Sequence, residues 1–300
     1  MEARTPAALI ASLAAVLAAM VGFQVGAALS KGLFPAVGPE GAAAIRLALA
    51  APMLLALARP WRAWPRAAPW IAMIGLGLSS AAAMLFFYLA LARLPQGIAI
   101  ALQFLGPLAI ALAGSRRPAD LVWALFAAAG VWGLVGEGAS GARLDPVGIA
   151  FALAAAGGWA GYILFGRVAG RAFGASAAAF ATTIAALVIV PFGAAHAGTA
   201  LLSPALLPLG LAVALFATAL PFSLELYAMP RIPARTFAVF TSLEPGLGAL
   251  SGLVLLHERL GATQICGLAA VIAAAAGAGW SSAAKRPRGA SADASEIPLT

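Results

Sequence analysis

The feature that most constrains this chain is a succession of apolar segments separated by short connections rich in Pro and Gly. A helix of about 20 apolar residues spans the hydrocarbon core of a bilayer. Because 63% of the residues are hydrophobic and only 9% are charged, the chain cannot cover itself with a water-facing surface as soluble domains do. The sequence therefore predicts an all-α polytopic membrane protein. Ten transmembrane helices are expected, at about residues 7–29, 40–58, 69–92, 95–114, 119–136, 147–166, 174–194, 204–228, 234–255 and 261–282.

The distribution of basic residues predicts the orientation of these spans. With the N-terminus placed inside, 13 of the 18 Lys and Arg residues fall in inner segments, four fall in outer segments, and Arg46 falls within a span. Such an excess is typical of cytoplasmic connections. Both termini are therefore expected in the cytoplasm. Residues 284–300 are polar and are expected to form a disordered cytoplasmic tail.

Composition also argues against several other classes of protein. The net charge of +8 does not indicate nucleic-acid binding, because the basic residues are scattered in small groups between apolar runs. One cysteine and two histidines make no convincing metal cluster, and no cofactor is expected. The spans contain no His-Glu-x-x-His motif and no paired aspartates, which argues against an intramembrane enzyme. No ring of charges or carbonyl filter repeats along the chain, so a channel is also disfavoured.

Two segments about 138 residues apart repeat the same pattern. Residues 90–95 lead to a Gly-Pro pair at 106–107, and residues 228–233 lead to a Glu-Pro pair at 244–245. Five predicted spans fall in each half, and since five is odd, the second half must enter the membrane inverted. Inverted repeats are typical of secondary transporters, whose substrate site lies near the midplane between the repeats. The expected five-helix repeats are residues 1–140 and 141–283.

Glu244 is the strongest candidate for a functional residue. A charged side chain at the centre of a membrane helix costs about 2.5–3.5 kcal/mol on insertion scales, so Glu244 is expected to face a cavity or a partner. Its carboxylate could bind an ammonium group or carry a proton. Alternatively, it could simply bond to a neighbouring helix at a structural kink. One helix face is expected to hold Thr241, Glu244, Gly248 and Ser251.

Prolines inside the predicted spans are expected to break the helices. Pro245 cannot donate a hydrogen bond to the Thr241 carbonyl, and Pro107 likewise leaves the Gln103 carbonyl free. Pro221 is expected to kink span eight. Two opened helices, one in each repeat, would bring polar backbone groups to the midplane, where transporters bind substrate.

Two further charged residues lie within predicted spans. Arg46 could hold a substrate carboxylate, pair with Glu244, or extend its side chain toward the membrane surface. Glu225 lies near the inner end of span eight and could be either a cavity residue or a solvated residue at the inner mouth.

Uncharged side chains complete the predicted site. Gln24 and Gln103 could bond to substrate or bridge helices. Aromatic residues in spans three, six and eight could line the cavity or pack between helices: Tyr88, Trp159, Tyr162 and Phe222.

Several motifs resemble one known family. Glu244-Pro245, followed by residues 255–260, Gln264 and Gly267, is similar to the end of an EamA domain. By this resemblance the chain is identified as a member of the drug/metabolite transporter superfamily, whose members have ten helices in two inverted five-helix repeats. His257 precedes Glu258 where the family usually has Gly. Other similar stretches, within about residues 20–280, are 28–35, 46–49, 106–109, 115–118, 219–225 and 233–237.

The resemblance implies a bacterial inner-membrane exporter of small neutral amino acids, of the threonine and homoserine type, driven by the proton gradient. It implies a cavity lined by spans one, three, four, six, eight and nine. Arg46 and Glu244 together suit a zwitterion, and Glu244 is the expected proton site. The alternative substrates on the same fold are an aromatic amino acid, a purine or a cationic compound. The expected partners are the substrate, protons and the lipid bilayer, without nucleic acid, and the protein is expected to be monomeric.

Overall fold

The computed structural model describes residues 6–62, 69–113, 120–135, 144–174, 176–228, 231–232 and 234–283. The predicted tail at 284–300 and the predicted boundary between the repeats lie outside these residues. The described chain is almost entirely helical. Its α-helices are α1 (Pro6–Lys31), α2 (Phe34–Ala58), α3 (Trp70–Leu91), α4 (Gln96–Gln103), α5 (Leu105–Ala113), α6 (Asp120–Val135), α7 (Pro146–Phe173), α8 (Ser176–Ala197), α9 (Leu207–Ala214), α10 (Leu220–Ala228), α11 (Ala234–Thr241), α12 (Glu244–Leu256) and α13 (Ala262–Ala283).

Most of these helices are suited to a bilayer. Among the described residues, seven helical segments are long and apolar enough to cross a membrane. Three shorter apolar helices, Leu121–Val135, Glu244–Leu256 and Ala262–Ala278, occupy the positions of predicted spans five, nine and ten. Large hydrophobic side chains such as Ile71 and Trp132, each 85% exposed, cover the outside of the bundle. The protein is therefore an all-helical, multi-pass membrane protein, and the number of spans stays a prediction.

Two helices differ in length from the sequence-based prediction. α7 continues to Phe173 rather than residue 166, because no proline follows Pro146 within it and Gly166 and Gly170 do not end it. The helix ends at Gly174, whose φ of 54° is a positive value that glycine adopts readily. α2 begins at Phe34 rather than about residue 40 and bends at Gly38, where φ is 69°. The exposed Arg167 and Arg171 consequently lie on a helix and not in a loop.

The two halves of the chain are packed into each other. The most extensive contacts join α3 to α7, α2 to α8 and α6 to α13, and further contacts join α1 to α10 and α4 to α12. Each of these pairs takes one helix from before residue 136 and one from after residue 143. The central volume is consequently walled by both halves.

Glycines permit the closest helix contacts. A Cβ at Gly26 would lie 2.6 Å from the backbone nitrogen of Ala217, and one at Gly158 would lie 2.5 Å from that of Ala83. The neighbouring Gly157 has no atom within 4 Å of such a Cβ. Of these two glycines, Gly158 is the one that allows α7 to approach α3 closely.

Candidate functional site

A cavity of about 460 Å³ lies inside the bundle, walled by both halves of the chain. It has the position expected of a substrate site between the helices of a bundle. Nine of the ten predicted substrate-contacting residues line this cavity: Gln24, Arg46, Gln103, Trp159, Tyr162, Phe222, Glu225, Thr241 and Glu244.

Arg46 projects from α2 into the cavity wall and is held by the second half of the chain. Its Nε donates to Thr218 Oγ1 at 3.0 Å, and its Nη2 donates to the Ala217 carbonyl at 2.6 Å. Its Nη1 donates to the Tyr88 hydroxyl at 3.4 Å. A guanidinium has five N–H donors, so these three bonds leave two donors free for a ligand. The side chain is only 8% exposed.

The Ala217 carbonyl is available to accept from Arg46 because of Pro221. In a regular α-helix the amide four residues further on would donate to the Ala217 carbonyl, and Pro221 has no N–H. The helix is locally widened to a π-helix at Leu215–Ala219, between α9 and α10. π-helical turns of this kind are frequent at functional sites. The opened backbone therefore supplies the shortest hydrogen bond that Arg46 makes.

Tyr88 lies behind the cavity wall rather than in it. Its side chain has no exposed surface, and it is absent from the cavity lining. Ser30 Oγ donates to the Gly26 carbonyl at 2.7 Å, so the Tyr88 hydroxyl, 2.6 Å from Ser30 Oγ, acts as the donor to it. The Tyr88 oxygen then accepts from Arg46. Tyr88, which was expected in the cavity lining, instead helps to hold the guanidinium in place together with Ser30, a residue that the sequence pattern did not indicate.

Glu244 and Glu225 line the same cavity from α12 and α10. Glu244 is 8% exposed and stands in the first turn of α12, where the helix dipole favours negative charge. The ion pairs among the described residues are Lys31–Glu258 and Arg93–Asp145. Arg46 and Glu244 therefore do not pair, although one sequence-based interpretation joined them.

The helices carrying Gln103 and Glu244 are both interrupted. α4 ends at Gln103 and α5 begins at Leu105, two residues before Pro107. α11 ends at Thr241 and α12 begins at Glu244, immediately before Pro245. Thr241 and Glu244 consequently lie on two helices rather than on one continuous face. Pro107 itself lines the cavity.

Gln24 joins the cavity to other helices through its backbone. Its side chain lines the cavity. Its carbonyl accepts from Gln96 Nε2 at 2.9 Å and from Ser251 Oγ at 3.2 Å. The predicted face of α12 is thus used for helix contact at Ser251 and for cavity contact at Glu244.

Aromatic rings form much of the remaining wall. Trp159 packs edge-to-face on Phe104 with ring centroids 5.1 Å apart, and Phe222 packs on Phe23 at 5.9 Å. The lining contains further residues that the sequence analysis did not select. These residues are Phe23, Ser80, Met84, Phe87, Phe104, Thr182 and Phe237. They are ordinary apolar or small polar residues of membrane helices, so only their position in the bundle distinguishes them.

Asp145 and Arg93 form an ion pair outside the membrane-spanning helices. Asp145 caps α7 by accepting from the Val147 amide at 2.8 Å, and Arg93 Nη1 lies 3.0 Å from its second carboxylate oxygen. The hydrogen bond from Val147, followed by that from Arg93, lowers the pKa of Asp145 below its ordinary value of 3.8. The described residues contain no group of His, Cys, Asp and Glu able to hold a metal ion.

A bundle of apolar helices around a partly polar internal cavity is the architecture expected of a membrane transporter. Residues 146–280 match the EamA-like transporter family. Because relatives of known function extend this match along most of the chain, the protein belongs to this family. The resemblance inferred from the sequence is confirmed, and the chain is a transporter rather than an enzyme.

Two similar proteins of known function are the threonine/homoserine exporters RhtA of Escherichia coli (strain K12) and Salmonella typhimurium (strain LT2). Each is 46% identical over 254 residues, which cover 85% of this chain and 86% of the relative. A solved crystal structure with 21% sequence identity superimposes with a TM-score of 0.59 and covers 88% of this chain and 95% of the other. That likeness shows a shared fold.

Proposed function

We propose that this protein is a secondary active exporter of small neutral amino acids, of the threonine and homoserine type, in the inner membrane of a bacterium. One observation carries the proposal. A cavity lined by one guanidinium and two carboxylates lies in a chain that is 46% identical to threonine/homoserine exporters. A zwitterion needs one group for each of its charges, and this cavity contains both kinds.

Arg46 binds the substrate carboxylate in this proposal. Its two free N–H donors match the two oxygens of a carboxylate, and its other three are held by protein acceptors. Glu225, Gln24 and Gln103 then contact the ammonium and hydroxyl groups. The aromatic wall excludes water around the apolar part of the substrate.

Glu244 couples export to the proton gradient. We propose that it is protonated in the outward-open state and deprotonated in the substrate-bound, inward-open state. Its position at the break between α11 and α12 supports this role, because a change of charge there acts on the joint between two helices.

The proposed architecture has ten spans in two inverted repeats, at residues 1–140 and 141–283. The pattern of helix contacts supports it. If each span of the first half corresponds to the span five places later, α1 corresponds to α7 and α3 corresponds to α10. Exchanging the halves then turns the α1–α10 contact into the α3–α7 contact. The same exchange maps the α2–α8, α4–α12 and α6–α13 contacts onto themselves. Two such halves exchange their packings during alternating access.

Export with protons as the coupling ion, which we propose for a monomer, is tested for substrate and coupling in inside-out membrane vesicles. Labelled threonine and homoserine are expected to accumulate when an imposed gradient makes the vesicle interior acidic. Accumulation should collapse when a protonophore removes the gradient. Uptake no greater than in vesicles without the protein, with the protein shown to be present, would contradict the substrate assignment.

A second candidate substrate class is organic cations. Arg46 already contacts three protein acceptors, whereas Glu225 and Glu244 have no ion-pair partner among the described side chains. Two carboxylates against one engaged guanidinium leave an excess of negative charge when both are ionised. Competition of labelled threonine uptake by lysine and by a diamine separates the two classes, because only a cation-selective site would prefer the diamine.

A further inference from the structure

Three polar groups from three different elements meet at one end of the bundle. Lys31, the last residue of α1, places its Nζ 2.5 Å from Glu258 Oε1. The backbone amide of Gln96, the first residue of α4, donates to Glu258 Oε2 at 2.7 Å. Both oxygens of one carboxylate are thus engaged by different helices. The side chains of Lys31 and Glu258 are only 22% and 17% exposed, which shields the pair from water.

This cluster lies directly beyond the cavity. Ala27 of α1 and Ile100 of α4 are cavity-lining residues. At a rise of about 1.5 Å per residue, Lys31 and Gln96 lie about 6 Å further along their helices. The Gln96 side chain also donates to the carbonyl of Gln24, whose side chain lines the cavity. Hydrogen bonds therefore run from the cavity wall to the ion pair.

A seam of small residues lies between α4 and α12 beside the cluster. A Cβ at Gly97 of α4 would lie 2.7 Å from the Cα of Ala249 in α12. A Cβ at Gly252 would lie 2.5 Å from Glu258 Oε2. α4 and α12 consequently touch through their backbones at Gly97, and a methyl group added at Gly252 would displace the Glu258 carboxylate from its partners.

The closed arrangement leaves one polar atom unsatisfied. Gln96 has no exposed surface, and its Oε1 is the buried side-chain polar atom for which the described residues provide no hydrogen-bond partner. A buried acceptor without a partner disfavours the arrangement that contains it. Separation of α4 from α12 would admit water to this oxygen and relieve the penalty.

We infer that Lys31, Gln96 and Glu258 form a gate that closes the cavity at its periplasmic end and must open for substrate release. The inference rests on the proposed exporter function and on the predicted orientation with a cytoplasmic N-terminus, which together place the end of α1 on the side of release. In the open state the Lys31–Glu258 and Gln96–Glu258 contacts are broken, and α4 moves away from α12.

Thiol labelling of the cavity tests the gate without any substrate. The reporter is Ser80→Cys, a near-isosteric change at the cavity lining, in a Cys266→Ser background. A membrane-impermeant cationic thiol reagent is added to spheroplasts or to inside-out vesicles. Lys31→Met and, separately, Gly252→Ala are expected to raise the labelling rate from the periplasmic side about 5- to 10-fold, by shifting the population toward the open state.

Arg93→Met is the matched control, because it breaks the other ion pair at the same end of the bundle and is expected to leave labelling unchanged. The inference is overturned if neither gate variant accelerates periplasmic labelling. It is equally overturned if Arg93→Met accelerates labelling as much, or if labelling rises equally from both sides. Failure of threonine transport with the expected labelling pattern would instead overturn the proposed substrate and retain the gate.

Discussion

Residues that do not line the cavity help Thr218 and Ala217 to hold the guanidinium of Arg46. Tyr88 and Ser30 form a directed chain of hydrogen bonds from the guanidinium to the Gly26 carbonyl. Because Tyr88 has no exposed surface, its hydroxyl acts on substrate only by orienting Arg46. A long side chain held in this way loses less rotational freedom when a carboxylate binds.

Replacing Tyr88 by Phe removes the hydroxyl while keeping the ring. A hydrogen bond to a charged group contributes about 1.5–3 kcal/mol, so the variant should raise the KM for exported amino acid roughly 10-fold and alter kcat little. Uptake kinetics in inside-out vesicles measure this split. Ser30→Ala serves as the comparison and should give a smaller increase, since Tyr88 would still contact Arg46. An unchanged KM in Tyr88→Phe would contradict the orienting role.

Exchange of the Glu244 carboxylate for an amide should remove the pH dependence of export. Glu244→Gln cannot exchange a proton but keeps nearly the same shape, so the protein should still fold and insert. Transport rates measured from about pH 5.5 to 8.5 are expected to be flat in this variant. Glu225→Gln is the control and should retain a pH-dependent rate. A normal pH profile in Glu244→Gln would show that the coupling proton is carried elsewhere.

At the scale of elements, prolines determine where the helices open. Pro221 leaves the Ala217 carbonyl free, and Arg46 then occupies it. The breaks after Gln103 and Thr241 occur just before Pro107 and Pro245. In each case the missing N–H lies beside the cavity, so backbone irregularity occurs where polar groups can be satisfied.

Pro221→Ala should make the protein more stable and less active. Alanine supplies an N–H for the Ala217 carbonyl, which then competes with Arg46, and alanine is favoured over proline in a helix interior by up to about 3 kcal/mol. Thermal unfolding in detergent should show an equal or higher Tm, while vesicle uptake falls severalfold. Pro191→Ala, inside α8 and away from the cavity lining, is the control and should not reduce uptake. Full activity in Pro221→Ala would refute this use of the free carbonyl.

Replacing each of two adjacent glycines of α7 by alanine should change the stability of the protein differently. A Cβ at Gly158 would overlap the backbone of Ala83, whereas one at Gly157 meets no atom within 4 Å. Overpacking costs about 1–3 kcal/mol, so Gly158→Ala should lower the Tm by several degrees. Gly157→Ala should be neutral or slightly stabilising. Equal Tm values for the two variants would contradict the close packing of α7 on α3.

At the scale of the whole molecule, the interleaving of the two halves gives the cavity its two walls. Every major helix contact described above crosses from one half to the other. A relative movement of the halves would therefore reshape the cavity and the seam between α4 and α12 together. The proposed alternating access would use such a movement.

The proposed topology predicts the location of two segments. A green fluorescent protein joined after Thr300 should be fluorescent, because it would fold in the cytoplasm. Alkaline phosphatase inserted in the segment Gly198–Leu202 should be active, because that connection would face the periplasm. A dark C-terminal fusion, or an inactive phosphatase insertion in a protein shown to be present, would contradict an even number of spans with cytoplasmic termini.

The helical class and most helix positions could be read from the sequence, because a segment that crosses hydrocarbon must be long and apolar regardless of its neighbours. The same reasoning found Arg46, Glu225 and Glu244, since charge in a bilayer needs a compensating environment. It did not find Ser30, because a serine on a membrane helix has no distinguishing pattern. It also misplaced the end of α7, because Gly166 and Gly170 do not end this helix and no proline follows Pro146 within it.

By itself the sequence determined that this protein is a multi-pass helical transporter, because hydropathy, charge bias and family motifs are local properties of the chain. The tertiary structure alone decided which side chains share a space. It directed Arg46 to Ala217, Thr218 and Tyr88 instead of Glu244, and it joined Lys31 to Glu258 across 227 residues. Such pairings depend on how helices pack against each other, and packing depends on the shapes of many distant residues together.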